Sequence, residues 1–232
     1  MIKFMLVILA FMFIFCRSFA LDSHSSNLIE NNESSKWGNY YLNTIHTEPH
    51  KTLILALKYF QLENNIGNAV DLGAGAGRDT IFLLKAGWQV FALDAEQLSI
   101  DVIINQIDSE LLSNLKVAVV PFSEMIIPNE LNLINASYSL PFCKPEDFAL
   151  CWKKIMNGLI IGGRFCGQFF GVHDEWANSP NLTIHTFDDL MKLFENQFVI
   201  EYLQIENGLI PCANGELKHW HIYHIVAKKI NY

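Results

Sequence analysis

The sequence predicts a doubly wound α/β domain, a mostly parallel sheet finished by an antiparallel hairpin at one edge. Three observations predict it. From Asn68 onward, short apolar strand patterns alternate with helical ones across short loops. The first strand runs directly into the glycine turn Gly73-Ala74-Gly75-Ala76-Gly77, which opens a helix. The last two strand patterns have no helix between them and so call for a hairpin.

The chain of 232 residues is sized for one substantial domain. With 51% hydrophobic and 17% charged residues it falls outside the disordered, collagen-like and coiled-coil classes. Its formal charge of −8 repels a phosphate backbone, and no run of five basic residues offsets this, so no nucleic-acid partner is expected.

Lys3, the apolar run from Met5 to Phe15 and the small residues of Ser18-Phe19-Ala20 form the pattern of a cleavable export signal over residues 1–20. Cleavage would start the mature chain at Leu21 and send it to the periplasm or the exterior. The run is short of the roughly 20 residues a spanning helix needs, so no stable membrane span is expected. A short N-terminal anchor is the alternative. A misread start is the third reading, disfavoured because the next Met after Met12 is Met125. Residues 21–36, polar and Ser/Asn-rich, read as a flexible lead-in to a domain over residues 37–232.

A first helix is expected over residues 50–62, with Pro49 at its start and Leu53, Leu57 and Phe60 on one face. A strand over 69–72 leads to a helix over 78–86, closed by Gly87. Strands follow over 88–93, ending at Asp94, and over 116–120 and 131–136. Pro145 opens a helix to about residue 159, and Gly162-Gly163 turns into a fifth strand over 164–170. Thr186-Phe187-Asp188-Asp189 resembles a capping box for a helix to about residue 196. Strands over 198–205 and 219–227 close the chain. Cys143, Cys151, Cys166 and Cys212 lack zinc spacing, so no metal is expected. Cys166 reads as a core residue, and the others as free thiols or, in an exported protein, as partners in a disulfide.

The glycine turn carries the functional argument. Its spacing is G-x-G-x-G, with Arg78 where a dinucleotide fingerprint would place its third glycine. Asp71, two residues before Gly73, suits an ammonium group and would repel a pyrophosphate. Asp94 can accept hydrogen bonds from both hydroxyls of a ribose. The ligand implied has a ribose and an amino group and needs no phosphate cradle, and S-adenosylmethionine has both.

With Val70-Asp71-Leu72-Gly73-Ala74-Gly75-Ala76-Gly77, Asp94 and the terminal hairpin, the chain resembles the class I S-adenosylmethionine-dependent methyltransferases over about residues 37–229. Gly75-Ala76-Gly77-Arg78-Asp79 looks closest to the small-molecule branch, like the tellurite-resistance and thiopurine-type enzymes. The resemblance implies a Rossmann-like fold, S-adenosylmethionine as cofactor and a small-molecule acceptor. It implies that Asp71, Gly73, Gly75 and Gly77 surround the methionine part, Asp94 and Ala95 the ribose, and Phe122 and Ser123 the adenine. Asn135 and Ala136 would face the sulfonium and the acceptor. The family often carries an acid in the adenine turn; here Glu124 comes later.

Methyl transfer needs a general base only when the acceptor is a neutral alcohol, phenol or amine. Asn135-Ala136-Ser137-Tyr138 lacks the two prolines that mark amino-group methylation of DNA or glutamine. His173 as a base and Trp176 as an aromatic wall are candidates in the loop after the fifth strand. His221, which shares a face with His219, is a pocket candidate on the last strand. Tyr138 and Tyr41 are others, Tyr41 with Trp37 and Tyr40 in a segment that would fold over the cofactor. Two further readings stay open: a non-catalytic S-adenosylmethionine-binding scaffold and a dinucleotide-dependent oxidoreductase.

Overall fold

The structure, a computed structural model, describes residues 37–232. The expected export signal and the lead-in lie outside the described residues. Helix α1 spans Gly38–Thr44 and α2 Lys51–Leu62, with His50 at the N-cap of α2. Strand β1 (Asn68–Leu72), α3 (Arg78–Lys85), β2 (Gln89–Asp94), α4 (Gln97–Gln106) and β3 (Leu115–Val119) follow. Then come β4 (Leu131–Ala136), α5 (Pro145–Gly158), β5 (Leu159–Gly171), β6 (Ile184–His185), α6 (Phe187–Phe194), β7 (Phe198–Pro211) and β8 (Leu217–Lys229).

The sheet order is β3-β2-β1-β4-β5-β8-β7, with the short β6 beside β5. All pairings are parallel except β5 with β8 and β7 with β8, which gives the expected hairpin edge. Apolar residues alternate across the sheet, so each face buries its own helices. Leu53, Leu57 and Phe60 of α2, with Leu84 of α3 and Ile103 of α4, cover the face that holds Ala69. Phe148, Trp152 and Ile155 of α5, with Leu190 and Phe194 of α6, cover the face that holds Val70 and Leu72. The strand order reverses between β1 and β4, and such a switch point opens a crevice at the carboxyl ends of the strands.

Three elements differ from expectation. Helix α4 was not foreseen. Its Leu98, Ile100 and Val102 alternate like a strand, yet together with Ile103 they pack as a helix. Strand β5 begins at Leu159, not after the glycines, because Gly162 at φ +86° forms part of an irregularity where the β4–β5 register shifts. The hairpin strands run longer than their apolar patterns, to Pro211 and from Leu217. The capping box is present, the Asp189 backbone N–H donating to Thr186 Oγ1 at 3.1 Å. Among the described residues Cys143, Cys151, Cys166 and Cys212 are free, and Cys166 is fully buried in β5. Among the described residues no helix is long and apolar enough to cross a membrane, and none of their side chains cluster in a way that could hold a metal ion.

Candidate active site

The turn after β1 is tied to β2 by two hydrogen bonds: the N–H groups of Gly73 and Ala74 donate to the Leu93 carbonyl at 2.8 and 3.0 Å. Gly73, Gly75 and Gly77 all have positive φ, a region where a Cβ is costly. Their surroundings differ. A Cβ on Gly73 would lie 2.5 Å from that of Ser139, and one on Gly77 2.6 Å from Cγ1 of Ile103 in α4. Gly77 is therefore required by helix packing and by the start of α3. At Gly75 the nearest atoms belong to the Tyr41 and Tyr40 rings, at 3.7 and 3.9 Å. The α1 segment thus covers the turn.

The cleft at the switch point has two parts that meet at Gly73. The polar part is bounded by the turn, Asp71, Asp79, His50, Arg78, Tyr40 and Ser137. The apolar part is bounded by Leu72, Leu93, Ala95, Val120, Phe122 and Met125, with Asp94 on its edge.

Asp71 and Asn135 are register partners on β1 and β4, so their side chains lie together on one face. Asn135 donates to Asp71 at 2.8 Å and to Asp79 at 3.0 Å, while Thr80 donates to the other Asp71 oxygen at 2.6 Å. Burial first, and then the charge of Asp79, push the Asp71 carboxyl up to about 7. Burial pulls Asp79 the same way, but the charge and hydrogen bond of His50 outweigh it and hold Asp79 well below the carboxylate range. Asp79 accepts from the His50 backbone N–H at 3.0 Å and lies 2.9 Å from its Nδ1. Arg78 contacts Nε2 of the same ring and donates to Thr47 Oγ1 at 2.6 Å.

Asp94 accepts from the Gly75 N–H at 2.8 Å on one carboxylate oxygen and from the Glu96 N–H at 3.0 Å on the other. Each oxygen keeps a lone-pair direction beyond these bonds. The Tyr41 hydroxyl also reaches Asp94; burial, and then the charges of Asp94 and Glu96, keep that phenol protonated.

Asp71, Gly73, Gly75, Asp94, Ala95 and Phe122 border the cleft. Asn135 and Ala136 do not. Both are fully buried, and the Asn135 amide is consumed in holding the two acids together; Ser137 borders the cleft instead. Ser123 is exposed, and Val120 and Met125 join Phe122 in its stead. His173 is exposed and stacks on His221 at 5.1 Å, its backbone N–H donating to His221 Nδ1. That pair joins a loop to β8 and borders neither part of the cleft. Trp176 packs on Trp220 at 5.4 Å, and Tyr138 lies 5.0 Å from the His50 ring. Sequence reasoning missed His50 and Asp79: 29 positions separate them, and no spacing rule links them.

A family model described as tellurite resistance protein TehB matches residues 28–165. The chain belongs to the TehB family. The solved structure of TehB from Haemophilus influenzae shares 16% identity at a TM-score of 0.63, covering 75% of this chain and 61% of that one. The chain therefore spans less than two thirds of that family member. The 1,6-didemethyltoxoflavin-N1-methyltransferase of Burkholderia thailandensis, solved with 1,6-didemethyltoxoflavin and S-adenosylhomocysteine, shares 17% identity at a TM-score of 0.62, with 93% of each chain covered. Magnesium protoporphyrin IX methyltransferase from Synechocystis PCC 6803, solved with bound SAM, shares 14% identity at 0.59, covering 93% of this chain and all of that one. At these identities the likeness is one of fold, the Rossmann-like methyltransferase fold that the sequence predicts. No curated protein sequence matches the chain.

Proposed function

We propose that the chain transfers a methyl group from S-adenosylmethionine to a small-molecule acceptor. The observation that carries this reading is a cleft around one glycine turn, polar with both charge signs at one end and apolar at the other. The donor set fits the cofactor part by part. Asp71 and Asp79 suit the ammonium of the methionine part, and the Arg78 guanidinium suits its carboxylate. Asp94 suits the ribose hydroxyls, and the slot of Val120, Phe122 and Met125 suits the adenine ring. When bound, the cofactor supplies a methyl group on positive sulfur, activated for in-line displacement. Orientation then provides much of the rate, and the chain needs no nucleophile of its own. Tyr40 and Tyr41 shield the turn from water.

Asp71 provides the test. A cation bound beside a carboxyl raised to about 7 favours the ionised form, so binding must expel the proton. Affinity for S-adenosylmethionine is expected to climb with pH, by up to about tenfold per pH unit below the Asp71 titration, and to level off above it. The ligand-free fold has the opposite sign. The contribution of Asp71 to stability is lost as pH rises from 3.8 towards about 7, because its carboxyl ionises first in the unfolded chain. Calorimetric titrations at several pH values, with Asp71→Asn as the flat control, measure the slope. Affinity that is level or falls with pH in the unsubstituted chain would count against the reading.

A further inference from the structure

We propose that His50, positioned by Asp79, takes the acceptor's proton, and that the acceptor is a planar aromatic molecule bearing an acidic O–H or ring N–H. This rests on the methyl-transfer reading above and extends it to the substrate.

The hydrogen bonds assign the imidazole's tautomer. Asp79 receives both the backbone N–H of His50 and, at 2.9 Å, its Nδ1. A carboxylate only accepts, so Nδ1 carries the hydrogen. On the other side of the ring Nε2 meets the Arg78 guanidinium, which only donates. With Nδ1 bonded to Asp79, the neutral form of the ring carries its lone pair on Nε2, and the His50 ring borders the polar cleft. The dyad is sheltered, with side-chain exposures of 14% for His50 and 5% for Asp79. Asn135 fixes Asp79 from beneath at 3.0 Å. Arg78 keeps its bond to Thr47 if it leaves Nε2 for the carboxylate of a bound amino acid. The charged or titratable neighbours of the ring are then Asp79, Arg78 and Tyr138, with His224 beyond Tyr138.

The aromatic side chains supply the second observation. From His50 the rings pass to Tyr138 at 5.0 Å, Trp220 at 6.4 Å and Trp176 at 5.4 Å. They continue to Phe142 at 6.4 Å, Trp37 at 4.9 Å and Tyr40 at 6.0 Å, and Tyr40 is again a wall of the cleft. The path leaves the cleft at one side and returns to it at the other, and none of the six rings beyond His50 is fully buried. Tyr138 is held at φ +53°, its N–H donating to Gln168 at 2.9 Å, and this uncommon backbone brings its ring onto His50. Lys218 Nζ lies over Trp220 and Trp176, 3.6 and 4.3 Å from their centroids, so those faces are taken; the part-exposed Tyr138 beside His50 and Tyr40 on the cleft wall match a flat aromatic molecule better than an aliphatic one.

In the transfer, the bond from methyl to sulfur breaks with its electron pair left on sulfur. The acceptor's oxygen or nitrogen forms the new bond to carbon, and its proton moves to Nε2. Asp79 stabilises the imidazolium until the proton passes to water. An acceptor that is already ionised would need no such base; one with an acidic O–H or N–H does.

The test uses the full chain saturated with S-adenosylhomocysteine and 4-nitrophenol as probe, read by absorbance. At a pH where the free phenol is protonated, the bound phenol is expected to show the phenolate band. Its apparent pKa should fall by at least about one unit, a tenfold shift in its ionisation. His50→Gln should abolish that fall while S-adenosylhomocysteine still binds by calorimetry. A bound phenol with unshifted ionisation, the same shift in His50→Gln, or no binding of the probe to the saturated chain would overturn the proposal. If S-adenosylhomocysteine itself fails to bind the unsubstituted chain, the underlying methyl-transfer reading falls instead. Nitrogen-15 shifts of the His50 ring need no substitution. A hydrogen on Nδ1 is expected, and a hydrogen on Nε2 alone would overturn the assignment of the base.

Discussion

Asp94→Ala is expected to weaken S-adenosylmethionine binding roughly 10- to 150-fold, the equivalent of about 1.5–3 kcal/mol for hydrogen bonds to a charged group. The carboxylate ends β2, borders the apolar half of the cleft and faces the Tyr41 hydroxyl. Its removal would leave ribose hydroxyls unpaired in a site partly closed to water. It would also free the N–H groups of Gly75 and Glu96, so the turn itself would loosen. The two contributions separate by measurement. Asp94→Asn keeps an oxygen for one of those N–H groups and should hold the melting temperature closer to that of the unsubstituted chain. Affinity unchanged in a folded Asp94→Ala protein would remove this residue from the site.

The second large effect concerns stability. Arg164 in β5 is only 1% exposed and donates to Glu63 through two nitrogens, each at 2.8 Å, and to Glu201 at 2.6 and 2.9 Å. Its ring neighbours Tyr59 and Phe60 close off water. Replacing Glu63 and Glu201 together by Ala would strand the guanidinium in the interior. The cost is expected to be about 3–5 kcal/mol, as for other buried charges left unpaired. At about 2–4 °C per kcal/mol for a chain of this size, the melting temperature should fall by roughly 6–20 °C. Adding Arg164→Met to that double variant should recover part of the loss, since no charge is then stranded. A triple variant less stable than the double one would contradict this account of the cluster.

The parts of the site that were legible in the sequence are contiguous or governed by a spacing rule. Asp71, the glycine turn and Asp94 lie at ends of adjacent strands, and the alternation of strand and helix fixes which ends meet. The cap at Thr186 was legible for the same reason, its partner being three residues away. What escaped depends on tertiary contact. Asn135 looked like a cleft residue because it ends β4, but on that strand it shares a face with Asp71, and the two buried acids take its amide. His173 stood out as a candidate base because its loop is rich in functional groups, but the loop packs against β8 through His221. His50 looked like a helix-start residue, and only the packing of α2 beside α3 brings it to Asp79. Helix α4 was missed because β-branched residues at Ile100, Val102 and Ile104 alternate as in a strand, while Glu96 offers no side-chain cap. Gly162 at positive φ read as a turn, although it sits inside β5.

The most direct measurement of the central claim is calorimetric titration of the purified full chain with S-adenosylmethionine and with S-adenosylhomocysteine. Both should bind at one site per chain and compete with each other. At neutral pH and above, S-adenosylmethionine, whose sulfonium adds a positive charge that S-adenosylhomocysteine lacks, should be favoured by the acids beneath it, and Asp94→Ala should weaken both ligands. A folded chain that binds neither ligand, or binds both with an affinity indifferent to Asp94, would contradict the cofactor site described here.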